Sequence, residues 1–404
     1  MQDWQSRMIV CTPLVGATVL SKLSVPPLGA HGIGLVFPLT FAALGFGLIT
    51  GRLQLASQRL LLFLVALPVL GLIQVLHGEI FSLSSLALMA ALGLTYVFTM
   101  RSGEADAAGA LRFFRNLSAF IALLGIVQFI VQFAGGLSIA FPIESYVPAA
   151  FRTQAFNNVT PLHWGASIYK ANGVVMLEPS VFSQLCALGL IAELSGAARL
   201  VRLALFVGAL VVSYSGTGLL ILAVSLPLFV VMHRRWDLLL HGLLLVGIVA
   251  LLSEPLNIAT LLDRTAEFSS RGSSGFARFV AWRDLFADRL WSSGFHALFG
   301  YGAGSFVAAS AGYQAAEMSY SKIIFEFGVL GGLLYFSFIF YCLLSAPAPM
   351  ILRIAVAVCY FMNGAYSPSV TGIALTLLLW PAQSPHRPAP SVMAGPAVGY
   401  PRAA

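Results

Sequence analysis

Apolar runs of about 17–25 residues recur along most of this chain, and a run of that length crosses about 30 Å of hydrocarbon when it coils into a helix. Inside lipid every backbone polar group must be satisfied internally, which leaves helices and closed barrels as the spanning structures. The runs fall at residues 8–24, 30–49, 59–77, 80–100, 112–135, 174–196, 200–213, 216–232, 237–252, 320–344, 350–364 and 367–381. They predict an all-α integral membrane protein of about twelve transmembrane helices. Residues 200–232 also fit one long helix, but the placement of the flanking arginines favours two. Composition agrees, with 59% hydrophobic and 9% charged residues, whereas the surface of a soluble domain needs roughly a quarter of its residues charged.

Orientation follows from the arginines. With the N-terminus in the cytoplasm, the inner loops receive Arg7, Arg52, Arg59, Arg101, Arg112, Arg115, Arg199, Arg202, Arg234 and Arg235, and the short outer loops hold little besides Lys22. Both termini are then expected inside. The net charge of +7 reflects this topology and not a nucleic-acid footprint. Arg7 followed by an apolar run has the outline of a signal peptide, but no soluble domain follows, so a first helix or signal anchor is expected. Cys11, Cys186, Cys342 and Cys359 sit in apolar runs without metal-ligand spacing and read as packing residues.

The organisation expected is nine spans over 1–252 with an outward segment at 136–173, a large outward loop at 253–319, three spans over 320–381, and a Pro/Ala/Gly-rich cytoplasmic tail at 382–404 that reads as disordered. No internal repeat of the inverted-transporter kind is visible. Scarce charge gathers in the stretch 253–320, in Asp263, Arg264, Glu267, Arg271, Arg278, Arg283, Asp284, Asp288, Arg289, His296 and Glu317. The outward segment 136–173 adds Arg152, His163 and Lys170. Chemistry is therefore expected at the outer membrane surface. Residues 275–292 have a helical rhythm, with Phe276, Phe279, Val280, Phe286, Ala287 and Leu290 on one arc and Arg278 and Arg289 opposite, which predicts one interfacial helix whose apolar arc is interrupted by Arg283.

Candidate residues follow from chemistry. Glu178-Pro179-Ser180 reads as a helix start, with proline in the first turn and a carboxylate at the positive end of the dipole. Lys322 and Glu326 are four apart and are expected to form a structural ion pair. Glu317 lies just outside the same helix, at the water boundary, where it suits a general base. Ser213-Tyr214-Ser215-Gly216 reads as an outward turn, and Phe299-Gly300-Tyr301-Gly302-Ala303-Gly304 as a tight turn rather than a nucleotide loop. No metal or cofactor motif is present, so arginines, which hold phosphate oxygens bidentately, are the expected anion ligands.

The Glu178-Pro179-Ser180 start, the Ser213–Gly216 turn, the run from Arg278-x-x-x-Trp282 to Phe299-Gly300-Tyr301-Gly302, and Glu326-Phe327-Gly328-Val329-Leu330-Gly331 resemble, in that order, the membrane family of O-antigen polymerases and ligases. The resemblance is closest to exopolysaccharide polymerases of the Wzy type and covers about residues 170–335. It implies a helical bundle similar to the C-type glycosyltransferases and a metal-independent glycosyl transfer at the periplasmic face of the bacterial inner membrane. The donor would be an oligosaccharide on undecaprenyl pyrophosphate, with membrane lipids and a chain-length regulator protein as further partners and no nucleic acid. Glu317 and Glu178 would then be catalytic, and Arg278, Arg283, Arg289 and Tyr214 would hold the pyrophosphate. Two departures stand out: the family often has arginine where this chain has Tyr214, and ligases carry histidine where it has Glu317. The second favours polymerase over ligase. A lipid-glycan flippase or transporter is the remaining alternative, although its polar residues are expected at mid-membrane.

Overall fold

The computed structural model describes residues 4–26, 33–77, 82–101, 107–154, 156, 158–162, 165–196, 198–234, 236, 268–364 and 366–381. The expected span at 237–252, the tail from 382, and Asp263, Arg264, Glu267, His163 and Arg235 lie outside these residues. The chain is mostly helical. The longer helices are α1 (Trp4–Ala17), α2 (Val36–Ile49), α3 (Ser57–His77), α4 (Leu83–Tyr96), α5 (Ala107–Ala140), α7 (Pro179–Leu194), α8 (Leu200–Ser213) and α9 (Gly216–His233). After them come α14 (Ser319–Leu344), α15 (Met350–Phe361) and α16 (Pro368–Ala374), which runs on as a π-helical turn at Leu375–Leu379. Short helices join them: α6 (Pro142–Tyr146), α10 (Ser274–Phe279), α11 (Ala281–Asp288), α12 (Gly294–Phe299) and α13 (Ser305–Ser310). Each apolar run inside the described residues therefore carries a helix.

Three helices, within 57–76, 107–146 and 319–344, are long and apolar enough to cross a membrane. They turn apolar side chains outward, among them Leu61, Leu64 and Leu72 on α3 and Phe120, Ile130 and Phe133 on α5. By contrast α7 is buried on every side, from Phe182 to Glu193. The stretch from Ser369 to Trp380 is buried too. A helix that is apolar all round belongs in the interior, and these two form the centre of the bundle.

Local chemistry sets the helix ends. Ser82 caps α4 by accepting from the Ser85 amide at 3.3 Å. Residues 200–232 form two helices, because α8 stops at Tyr214 in the left-handed region, with φ 44° and ψ 38°. Two small antiparallel pairs form in the connections: β1 (Ser24–Val25) with β2 (Ile33–Gly34) within the one between α1 and α2, and β3 (Leu53–Leu55) with β4 (Phe98–Met100) between two connections.

The connections sort into two ends. At one, Arg52 donates to Ser6 Oγ and Gln5 Oε1, Arg59 to the Leu379 carbonyl and Arg353 to the Leu344 carbonyl, while Arg202 pairs with Glu193 at 3.6 Å. At the other, Lys22 meets Glu144 at 2.6 Å, Thr217 donates to the Ser180 carbonyl, and Ser319 donates to the Asn363 carbonyl.

Candidate functional site

The starts of α7 and α9 and the end of α10 enclose a cleft of about 400 Å³ at this second end. Glu178 is extended at the N-cap of α7 with Pro179 behind it, as the sequence predicts. Its Oε2 accepts from Ser180 Oγ at 3.0 Å and lies 3.6 Å from Arg278 Nη2. Arg278 arrives from α10, whose first turn is capped by Ser273 Oγ accepting from the Phe276 amide. Ser215 and Thr217 add hydroxyls 3.1 Å apart at the start of α9. Lys170 and Tyr214 complete the polar end, and Pro179, Leu219, Leu220, Ala223 and Phe279 form an apolar wall. Leu219 and Leu220 are also exposed on the outside of the bundle, so the wall continues to the outer surface. Tyr214 is itself nearly buried, its ring 5.9 Å from that of Phe129, and desolvation raises its phenol above the ordinary value.

A second polar group lies at the start of α14. Lys322 Nζ is 2.6 Å from Glu317 Oε2 and 3.8 Å from Glu326 Oε1, and sits 5.8 Å from the ring centre of Tyr366. The expected Lys322–Glu326 pair is present, but the shorter contact goes to Glu317, so the base candidate and the ion pair are one triad. Glu317 is 47% exposed and Glu326 fully buried. Neither Glu326 oxygen accepts a hydrogen bond of full geometry, although the amides of Gly304 and Phe306 face the carboxylate.

The Phe299–Gly304 segment is a turn, and its job is to clamp a break in α14. Gly328 departs from helical geometry with φ 69° and ψ −175°. Tyr301 and Gly302 donate their amides to the Phe325 and Glu326 carbonyls at 2.9 Å each. His296 stacks on Tyr301, ring centres 4.1 Å apart, and Tyr301 on Phe325 at 4.9 Å. The two polar groups belong to one end of the bundle. The Ala316 amide donates to the Ala277 carbonyl at 2.9 Å, and Tyr320 Oη donates to the Arg278 carbonyl at 2.5 Å.

Arg283 and Arg289 do not join Arg278 in the cleft; both are exposed. The expected single helix over 275–292 is broken at Val280, where φ −119° and ψ −48° separate α10 from α11. The break rotates everything downstream, burying Leu285 in place of Ala287 and setting Arg278 and Arg289 in different directions. The apolar side packs on Phe306, Ala315 and Phe325 of the protein rather than on lipid. Arg271 and Asp284 form an exposed pair at 3.8 Å, and Tyr313 Oη donates to Asp288 at 3.1 Å.

Sequence reasoning passed over Lys22 and Lys170 as site residues. The signal was their scarcity: the chain has three lysines, and Lys22, Lys170 and Lys322 are 0%, 9% and 6% exposed. Lysines are rarely buried without a partner. Lys22 follows α1 in a turn, where its Nζ donates to the Val174 carbonyl and meets Glu144. Burial lowers its ammonium to about 8 against the opposing pull of Glu144. Val174 holds φ 66°, an unusual conformation for a β-branched residue. Among the described residues no group of three His, Cys, Asp or Glu side chains is placed to hold a metal ion.

No known family model matches the chain, and neither a curated protein nor a solved structure matches it.

Proposed function

We propose that the chain is a polysaccharide polymerase of the inner membrane, transferring a glycan from a lipid pyrophosphate to a second lipid-linked repeat unit at the periplasmic face. The observation that carries this reading is the two-sided cleft, with Glu178, Arg278 and Lys170 at one end and an apolar wall of Leu219, Leu220 and Ala223 leading to the exterior. That is the shape required by an amphiphile with an anionic head and a polyprenyl tail.

On this reading the twelve spans are the eleven longer helices and the run at 237–252, in a bundle similar to the C-type glycosyltransferases. The arginine end faces the cytoplasm together with both termini. The outward apolar faces of α3 and α5 meet lipid.

The chemistry then divides among the residues at the outer end. Arg278 and Lys170 neutralise the pyrophosphate as the anomeric C–O bond breaks and its electrons pass to the leaving oxygen. Glu317 takes the proton of the acceptor hydroxyl as that oxygen bonds to the anomeric carbon. Lys322 engages Glu317 through Oε2, which leaves Oε1 to receive that proton. When Glu317 becomes neutral, the Lys322 charge remains compensated by Glu326 at 3.8 Å. Glu178 orients Arg278.

Glu317→Gln tests the assignment. It keeps size and hydrogen bonding, so protein level is expected to be normal while polymer is lost and single lipid-linked repeats accumulate. Polymer of wild-type length and yield from this variant would remove Glu317 as the base. Loss of polymer with the lipid-linked sugar trapped on the cytoplasmic side would instead point to a flippase.

A further inference from the structure

The arginine end of the bundle holds a cavity of its own, about 330 Å³, between the start of α3, strand β4 and the end of α14. Its polar lining includes Ser57, Gln58, Arg59, Thr99, Tyr341 and Ser345, and among the described residues no acidic side chain lines it. Arg59 is 7% exposed. Its Nη1 donates to the Leu379 carbonyl at 3.0 Å, and among the described residues no carboxylate lies within 4.0 Å of it. A buried guanidinium facing one carbonyl dipole is an uncompensated charge, which proteins rarely keep without an anion to meet it. Arg202 of α8, by comparison, is paired with Glu193.

The rest of the cavity adds donors. Ser57, Gln58 and Arg59 form the first turn of a 21-residue helix, whose leading amides have no intrahelical acceptor and lie at the positive end of its dipole. Tyr341 Oη donates to Gln58 Oε1, which leaves the Gln58 amide nitrogen as a further donor. A guanidinium fork, helix-start amides and hydroxyls around one cavity match the oxygens of a tetrahedral anion.

We infer that this cavity binds a phosphate group, carried either by an anionic phospholipid headgroup of the adjoining leaflet or by free phosphate. The site is separate from the outer cleft and does not rest on the glycosyl-transfer reading.

The test uses the full-length protein in nanodiscs, with Tm read by the labelling of its buried cysteines on unfolding. One arm titrates inorganic phosphate against chloride at matched ionic strength in phosphatidylcholine discs. The other compares phosphatidylcholine discs with discs that also contain phosphatidylglycerol. A saturating rise in Tm with phosphate identifies the free anion as the ligand. A rise with phosphatidylglycerol alone identifies the headgroup. In either case Arg59→Gln is expected to abolish the rise. Ser57→Asp is expected to abolish it as well, because its carboxylate occupies the helix start and neutralises Arg59. An acidic first-turn residue favours the helix, so this variant keeps the test decisive if Arg59→Gln does not fold. No rise with either probe in the wild type, or an undiminished rise in Ser57→Asp, overturns the inference.

Discussion

Replacing Gly328 by alanine tests how the outer end of α14 is held. The residue sits at φ 69° and ψ −175°, a region that side chains other than hydrogen scarcely enter. A Cβ placed there lies 2.2 Å from the Leu298 carbonyl oxygen and 2.4 Å from the Phe299 nitrogen. On the facing strand of the contact, a Cβ on Gly300 lies 2.4 Å from the Glu326 carbonyl carbon and 2.5 Å from the Gly328 nitrogen. The obstructing atoms are backbone on both sides, so no flexible side chain can swing away. Conformational strain costs about 1–3 kcal/mol, and overpacking adds about 1–3 kcal/mol. The sum of about 2–6 kcal/mol is a large part of a typical 5–15 kcal/mol margin.

The readout is thermal unfolding of the purified chain in neutral detergent, followed by labelling of the buried thiols of Cys186, Cys342 and Cys359. Gly328→Ala is expected to lower Tm by several degrees and to loosen the clamp over Glu326. Gly71→Ala is the control: it lies inside α3 with nothing within 4 Å of the added methyl, so it should be neutral or stabilising by up to about 1 kcal/mol. Equal Tm for Gly328→Ala and wild type would refute the clamp.

Further perturbations separate the roles of the charged groups. Arg278→Lys is expected to impair polymer formation because the guanidinium fork is lost, while Arg283→Lys and Arg289→Lys, exposed outside the cleft, should be near wild type in a polymer-length assay. Lys322→Met removes the cation beside a fully buried carboxylate and is expected to cost about 3–5 kcal/mol, with much of the Tm regained in Lys322→Met, Glu326→Met. Lys22 gives a pH signature. It loses its proton at about 8 in the folded chain and at 10.5 when unfolded, so between these values the unfolded state binds more protons and stability rises with pH. Lys22→Met should flatten Tm against pH over that window, and an unchanged slope would remove Lys22 as its source.

Much of the bundle is legible in the sequence because apolar runs decide where helices form, and each run among the described residues carries one. The helix ends that could be read, Pro179 at the start of α7 and Tyr214 after α8, are places where a single residue dominates the local conformation. The break at Val280 was not legible. A β-branched residue does not by itself mark a helix end, and the kink there accompanies the gathering of Phe276, Leu285 and Phe286 into one cluster with Phe306 and Phe325, residues distant in sequence. Periodicity assumes one unbroken axis, so it assigned Arg278 and Arg289 to a common face that the chain does not have.

The triad at α14 shows a subtler limit. Spacing of four residues predicts that Lys322 meets Glu326, one turn ahead of it. A helical side chain, however, leans toward the N-terminus of its helix. For Lys322 that direction leads past Met318, which is extended at the N-cap with φ −71° and ψ 152°, to Glu317. The lysine therefore makes its 2.6 Å contact backward, to a residue just outside the helix, and its 3.8 Å contact forward into the interior. The forward carboxylate is sealed from water and the backward one is half exposed, so a single ammonium joins a buried carboxylate to one that solvent reaches. Glu326 and Lys322 thus support Glu317, and a change at either is expected to alter both stability and the behaviour of the exposed carboxylate.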